Sequence, residues 1–265
     1  MARRMIVYTL ILGVLISTAG MLLLIRTSTM PPTHSQLLFS DDFHGADLDR
    51  SKWGTCYPWF KTAGCTNHGN PELEWYLPQQ VSVQRGVLHL TTQRSPVEGF
   101  DAQGHAKTFP YRSGMVTTAG HFDFTYGRVE FQARAPRGRG LWPALWLVPA
   151  DGSTRPEIDV MEAYGEDIWQ VFLSYHGSRN YTSQRIAFVN DISSGWHSYV
   201  LDWRPDSVIW YVDGRRWFTV DQSVPHKPMY LIANLAVSGM SPHEPDGSTP
   251  DHARFDIASV RVWGP

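Results

Sequence analysis

The chain has 265 residues, 42% of them hydrophobic and 18% charged, with a formal net charge of −2. This balance fits a folded protein and provides no basic field to hold nucleic acid, which argues against that class of partner. Aromatic residues make up 13% of the chain, 11 of them Trp; a large core accounts for that load, and so does a surface on which sugar rings stack.

In chain order, the first feature is an uncharged apolar run, Met5–Ile25, preceded by Arg3 and Arg4 and closed by Arg26. It is long enough to span a bilayer as a helix and outlasts the usual apolar core of a cleaved signal. Small residues at Ser17-Thr18-Ala19 keep cleavage open as the alternative. The favoured reading is a signal anchor over 1–26, with the Arg pair in the cytoplasm and the body exported. The body is then membrane-anchored, facing periplasm or exterior, or secreted if the signal is cleaved. Residues 27–36 read as a linker, and 37–265 as one domain, expected to be a monomer.

Cys56 and Cys65 share the loop-like segment TCYPWFKTAGCTNHGNP. They either close a small loop as a disulfide, which suits export, or remain two thiols. Their spacing matches no zinc motif.

The body then shows short alternating runs rather than helical periodicity. Val81–Val83 and Val87–Thr91 flank the turn signal Arg85-Gly86. Phe122 and Phe124 alternate with polar residues, as do Val129, Phe131 and Ala133. Ser207–Val220 reads as a hairpin turning at Asp213-Gly214, and Tyr199–Trp203, Tyr230–Leu235 and Phe255–Trp263 as further strands. Many short strands with frequent turns predict an all-β, two-sheet antiparallel sandwich or jelly roll.

Within this pattern lies TRPEIDVMEAYG, Thr154–Gly165, with Glu157, Asp159 and Glu162 close together. Taken alone it fits a helix start equally well: Thr154 and Glu157 form a capping box and Pro156 suits the first turn. Gly165 would end such a helix after two turns, whereas Ile158 and Val160 alternate with the acids at strand period. On a regular strand Glu162 faces away from the other two acids; a bulge at Val160-Met161 would return it to their face. Three acids on one face suit a retaining glycosidase, with Glu157 as nucleophile and Glu162 as acid/base. Asp159 would share a proton or hydrogen bond with Glu157 and help keep Glu162 protonated. The other readings are a hard-cation site and a solvated acidic face.

The run Tyr126–Asp167 resembles glycoside hydrolase family 16, of the subgroup with a bulged E-x-D-x-x-E signature. NPELEWY, YRSGMVTT, WHSYVLDWRPDSVIWYVDG, MYLIANLAVSG and FDIASVRVW fit the same pattern in order, over about Leu38–Trp263. The resemblance implies a concanavalin A-like jelly roll with an open glycan cleft on one sheet. It implies Glu157, Asp159 and Glu162 as the catalytic trio, and Trp142 and Trp146 as rings lining the cleft. Their spacing of four independently places those two on one face of a strand. By resemblance, His176 stands near the catalytic strand, Asn70 and Glu72 in a polar cleft segment, and Asp256 where a structural calcium is sometimes held. No cofactor is required.

The chain departs from many laminarinases at Thr154-Arg155-Pro156, at Met115 and at Ser238-Gly239-Met240, all where sugars would be contacted. The expected activity is hydrolysis of internal β-glycosidic bonds in a β-1,3/1,4-glucan or a bacterial exopolysaccharide. A transglycosylase on the same residues and a non-catalytic glycan-binding protein are the alternatives.

Overall fold

A computed structural model describes residues 36–59, 64–177, 181–239 and 243–265. The expected N-terminal helix, and the linker as far as residue 35, lie outside the described residues. Among the described residues no helix is long and apolar enough to cross a membrane. Helical structure there amounts to a 3-10 turn at Pro78–Gln80.

The strands follow in chain order. The first are β1 (Leu37–Asp41), β2 (Glu74–Tyr76), β3 (Val81–Gln84), β4 (Val87–Phe100), β5 (Ala106–Ser113) and β6 (Met115–Thr117). Next come β7 (Gly127–Arg134), β8 (Leu141–Pro149), β9 (Glu157–Glu162), β10 (Gln170–His176) and β11 (Thr182–Phe188). The last are β12 (His197–Trp203), β13 (Val208–Val212), β14 (Arg215–Val220), β15 (Met229–Val237) and β16 (His252–Trp263).

They form two sheets. The larger runs β14-β13-β12-β7-β16-β4-β5-β2, with β1 added to β16 and β3 to β4. The smaller runs β11-β10-β9-β8-β15-β6. The predicted two-sheet sandwich is therefore present, and pairing is antiparallel with one exception, β2 beside β5. Between the sheets lies one apolar cluster containing Leu88, Phe131, Leu145, Val160, Leu173, Trp210, Leu231 and Phe255.

Two turn signals explain the clearest hairpins. Arg85 and Gly86 have φ of 54° and 75°, and Asp213 and Gly214 have 49° and 75°. Two successive positive φ values define a type I′ turn, whose twist matches that of the flanking strands. Gln84 accordingly pairs with Val87, and Val212 with Arg215.

β8 and β15 do not alternate; all nine residues of each are buried. One face of each meets the core, while the other carries residues such as Trp146 and Ile232 packed with Tyr57 and Tyr76. Phe122 does not join a strand as its alternation predicts. The Thr118 hydroxyl donates to the Phe122 carbonyl at 2.8 Å and closes a turn, leaving Phe124 a single bridge to Met229.

Candidate active site

The segment Glu157–Glu162 is a strand, β9, between β8 and β10 in the smaller sheet. Its register breaks on both sides. Leu145 pairs with Met161 and Trp146 with Asp159; Phe172 pairs with Glu162 and Ser174 with Asp159. The extra residue lies at Val160-Met161, both buried, and both belong to the core cluster. The bulge thus spends two consecutive residues on the core side and turns Glu162 outward beside Glu157 and Asp159. From the opposite sheet, Trp210 reaches through the core and donates its indole N–H to the Asp159 carbonyl at 2.8 Å.

All three carboxylates line one cleft of about 360 Å³ on the outer face of the smaller sheet. Trp142, Trp146, His176, Asn70 and Glu72 line it too, so the expected cleft residues converge there. Glu162 is held from two sides: Trp142 Nε1 donates to Oε1 at 3.1 Å, and Ser174 Oγ to Oε2 at 3.3 Å. Ser174 in turn accepts from Gln184 Nε2 at 2.9 Å. His176 Nε2 lies 3.1 Å from Asp159 Oδ2 and 3.9 Å from Glu157 Oε1. Trp146 Nε1 donates to Asn234 Oδ1 at 2.7 Å, and the Asn234 amide donates to the Tyr76 hydroxyl at 3.0 Å. That chain of bonds fixes one indole plane on the cleft floor.

Burial and mutual repulsion govern the acids. Burial pushes Glu157 well above its usual range; the Asp159 charge adds to the rise, and His176 opposes it. Asp159 is also raised, by burial first and then by the Glu162 charge, against a hydrogen bond with Glu157. Glu162 is raised by burial, against His176 and the donors Ser174 and Trp142. Such a group shares protons and titrates as a unit. Asp159→Asn removes one of the charges that lift Glu157. If an ionised Glu157 serves turnover, the acid limb of a kcat/KM profile is therefore expected to move to lower pH; an unmoved or raised limb in a pH–rate series rejects this coupling.

A second acidic pair borders the cleft. Asn70 Nδ2 donates to Glu72 Oε1 at 3.1 Å, and Glu74 accepts the Val237 N–H at 2.7 Å. Burial, then the Glu74 charge, raises Glu72 well above the ordinary range.

One donor atom each from Glu157, Asp159 and His176 lies within 4.8 Å of the others, a spacing that a cation could bridge. At Asp256, where the resemblance allowed a structural calcium or an ordinary surface Asp, the arrangement is different. Asp256 lies on β16 in the larger sheet, where Arg254 Nε reaches it at 2.6 Å, Arg134 Nη2 at 2.6 Å and His89 Nδ1 at 2.7 Å. Two guanidinium groups supply there the positive charge that a cation would bring. Cys56 and Cys65 form a disulfide, with Cα atoms 5.3 Å apart. This leaves Tyr57 and Asn67, near either end of the bridge, lining the cleft.

Sequence reasoning did not single out Tyr57, Asn67, Tyr164, Gln184 and Asn234 as cleft residues, and met Arg155 only as a departure. Asn234 carried a readable signal, a lone amide inside the apolar run MYLIANLAV. The others stand on loops or an edge strand, where polar residues are ordinary. Of the three departures, Arg155 lines the cleft, Met115 is fully buried, and residue 240 lies outside the described residues.

An antiparallel sandwich with a carboxylate trio on a bulged strand, under indole rings, has the build of a carbohydrate-processing β-sandwich. The profile of "Glycosyl hydrolases family 16" matches residues 71–255. The chain belongs to that family. It is 35% identical over 224 residues to "Endo-1,3-1,4-beta-glycanase EglC" of Rhizobium meliloti (strain 1021), covering 79% of this chain and 48% of the relative. It is 34% identical over 242 residues to "Endo-1,3-1,4-beta-glycanase ExsH" of the same organism, covering 85% and 51%. The chain thus spans about half the length of these curated relatives. The laminarinase catalytic domain from Thermotoga maritima MSB8 superposes with a TM-score of 0.77 at 30% identity, over 87% of this chain and 98% of that one.

Proposed function

We propose that the protein is a retaining endo-β-glycanase that cuts internal β-glycosidic bonds of a polysaccharide by double displacement. The observation that carries this reading is the bulge, which brings Glu162 to the face of Glu157 and Asp159 under a donor pair, Trp142 and Ser174. In the first step Glu157 attacks the anomeric carbon while Glu162 gives its proton to the departing glycosidic oxygen. In the second, Glu162 takes a proton from water, which displaces Glu157 and restores the starting configuration. Asp159 shares a proton with Glu157 and orients it. Trp142 and Trp146 stack against sugar rings, and His176, Asn70 and Glu72 hydrogen-bond to hydroxyls.

The relatives' names, endo-1,3-1,4-β-glycanases, support the linkage class, and the proposed substrate is a β-1,3/1,4-glucan or a bacterial exopolysaccharide. No cofactor enters either step. Export of the body, with the Met5–Ile25 run as its membrane anchor, completes the reading.

The test is reducing-end release by the purified chain on laminarin, barley β-glucan, agarose and bacterial exopolysaccharides, with EDTA present and the product anomer followed by NMR. Chelator-resistant cleavage with a β-configured first product is the expected result. An α-configured first product overturns the double displacement, and loss of activity in EDTA overturns the cofactor-free chemistry. Binding without cleavage of any polymer moves the protein to the glycan-binding class.

A further inference from the structure

The cleft does not end at the carboxylates. On β10 and β11, Phe172 pairs with Ile186 and Gln170 with Phe188. Directly opposed residues share a sheet face. Phe172 is also the register partner of Glu162, so this row lies on the cleft face, level with the acid and beyond it. An aromatic line runs the same way: Trp142 to Tyr164 at 6.4 Å between centroids, then Tyr164 to Phe172 at 4.9 Å. Past Phe172 the line opens to solvent, with Ile186 37% and Phe188 66% exposed.

Exposed apolar side chains on an edge strand invite aggregation, and edge strands more often carry charge there. The core does not need these side chains, because the alternate residue Ala187 is the one that packs inward, opposite Val171. Gln184, two residues before Ile186 on the same face of β11, touches the Ser174 hydroxyl that holds Glu162. The edge strand thus meets the acid through a polar contact and leads away from it as an apolar shelf.

We infer that Tyr164, Phe172, Ile186 and Phe188 form a platform for the leaving-group half of the glycan, and that it sets where along a chain the cut falls. The inference rests on the glycanase reading, in which Glu162 protonates the departing oxygen and so marks that side of the cleft. Two strand spacings, about 10 Å, separate Glu162 from the β11 row, room for more than one sugar ring. Faces of pyranose rings rich in C–H are the matching chemistry: they desolvate against Phe and Ile without asking for a hydrogen bond.

The test uses the full chain and an Ile186→Ser/Phe188→Ser double variant. Both are made in the active form and on a Glu157→Gln background. In affinity electrophoresis through laminarin or barley β-glucan, the Glu157→Gln protein is expected to be retarded. The added double change should weaken that retardation roughly tenfold. In the active form, cuts in reducing-end-labelled laminari- or mixed-linkage oligosaccharides should shift towards the reducing end, since a long leaving group is no longer favoured. Retardation and cutting pattern both unchanged overturn the platform alone. No retardation of the parent by either polymer overturns the β-glucan substrate class and the platform with it. A parent that is dimeric, and becomes monomeric in the double variant, overturns the platform in favour of an interface between copies. Both side chains are exposed, so melting should be unchanged, and a lowered melting temperature with normal binding assigns them to stability instead.

Discussion

A Glu157→Gln chain is expected to fold like the parent, to keep its hold on polymer, and to lose at least about 10⁴-fold in kcat. The substitution keeps the shape of the side chain and removes the negative charge that, in the proposed double displacement, makes this oxygen a nucleophile. It also removes one of the acids crowded around Asp159, so the variant should melt no lower than the parent: burial penalises each charge in this cluster. Circular dichroism, polymer retardation and reducing-end release together decide. Residual turnover above about a hundredth of the parent's would mean that a group other than Glu157 forms the bond, because nucleophile losses elsewhere fall far below that level. Unchanged activity of any kind would mark a binding protein.

Glu162→Gln separates the second role from the first. Loss of a general acid costs about 10²–10⁴-fold where the leaving oxygen needs a proton. An aryl glycoside with an acidic phenol departs without that proton, so formation of the glycosyl-enzyme should be nearly normal on a dinitrophenyl substrate while the polymer rate collapses. Its breakdown, which needs a base to activate water, then becomes slow. Azide, which needs no base, should restore turnover and yield a glycosyl azide of retained configuration. Equal losses on both substrates with no azide effect would remove Glu162 from the acid/base role. Trp142 and Ser174 both donate to this carboxyl group, which favours its ionised form; burial outweighs them and keeps it raised.

Local rules revealed much of the scaffold. Asp213-Gly214 and Arg85-Gly86 marked their hairpins because a two-residue turn demands backbone conformations that few residues tolerate. The acid cluster was legible because three carboxylates within six residues are costly to gather on one strand face unless used, and the helix reading of Thr154–Gly165 failed against the strands around it. What escaped the sequence depends on partners distant along the chain. Asp256 reads equally as a surface acid or a cation ligand from the sequence, and its Arg134 and Arg254 partners, from two strands, come into view only in the fold. Ile186 and Phe188 look like ordinary strand residues until their pairing with β10 shows which face they occupy. Phe122 alternates like a strand, yet one hydroxyl at Thr118 turns the chain there instead.

The bond from Trp210 to the Asp159 carbonyl has a wider meaning. A bulge displaces the backbone groups beside it from the regular ladder, and in the dry middle of a sandwich any that lose a partner must find another. Here a donor arrives from the other layer, from a strand of the Asp213-Gly214 hairpin. The curvature that gathers the acids is therefore jointly owned by two sheets. Grafting the six residues of β9 onto a foreign sheet would transplant the letters of the signature without its shape. An engineer moving this chemistry has to carry an indole along with the carboxylates, although that indole never meets the glycan.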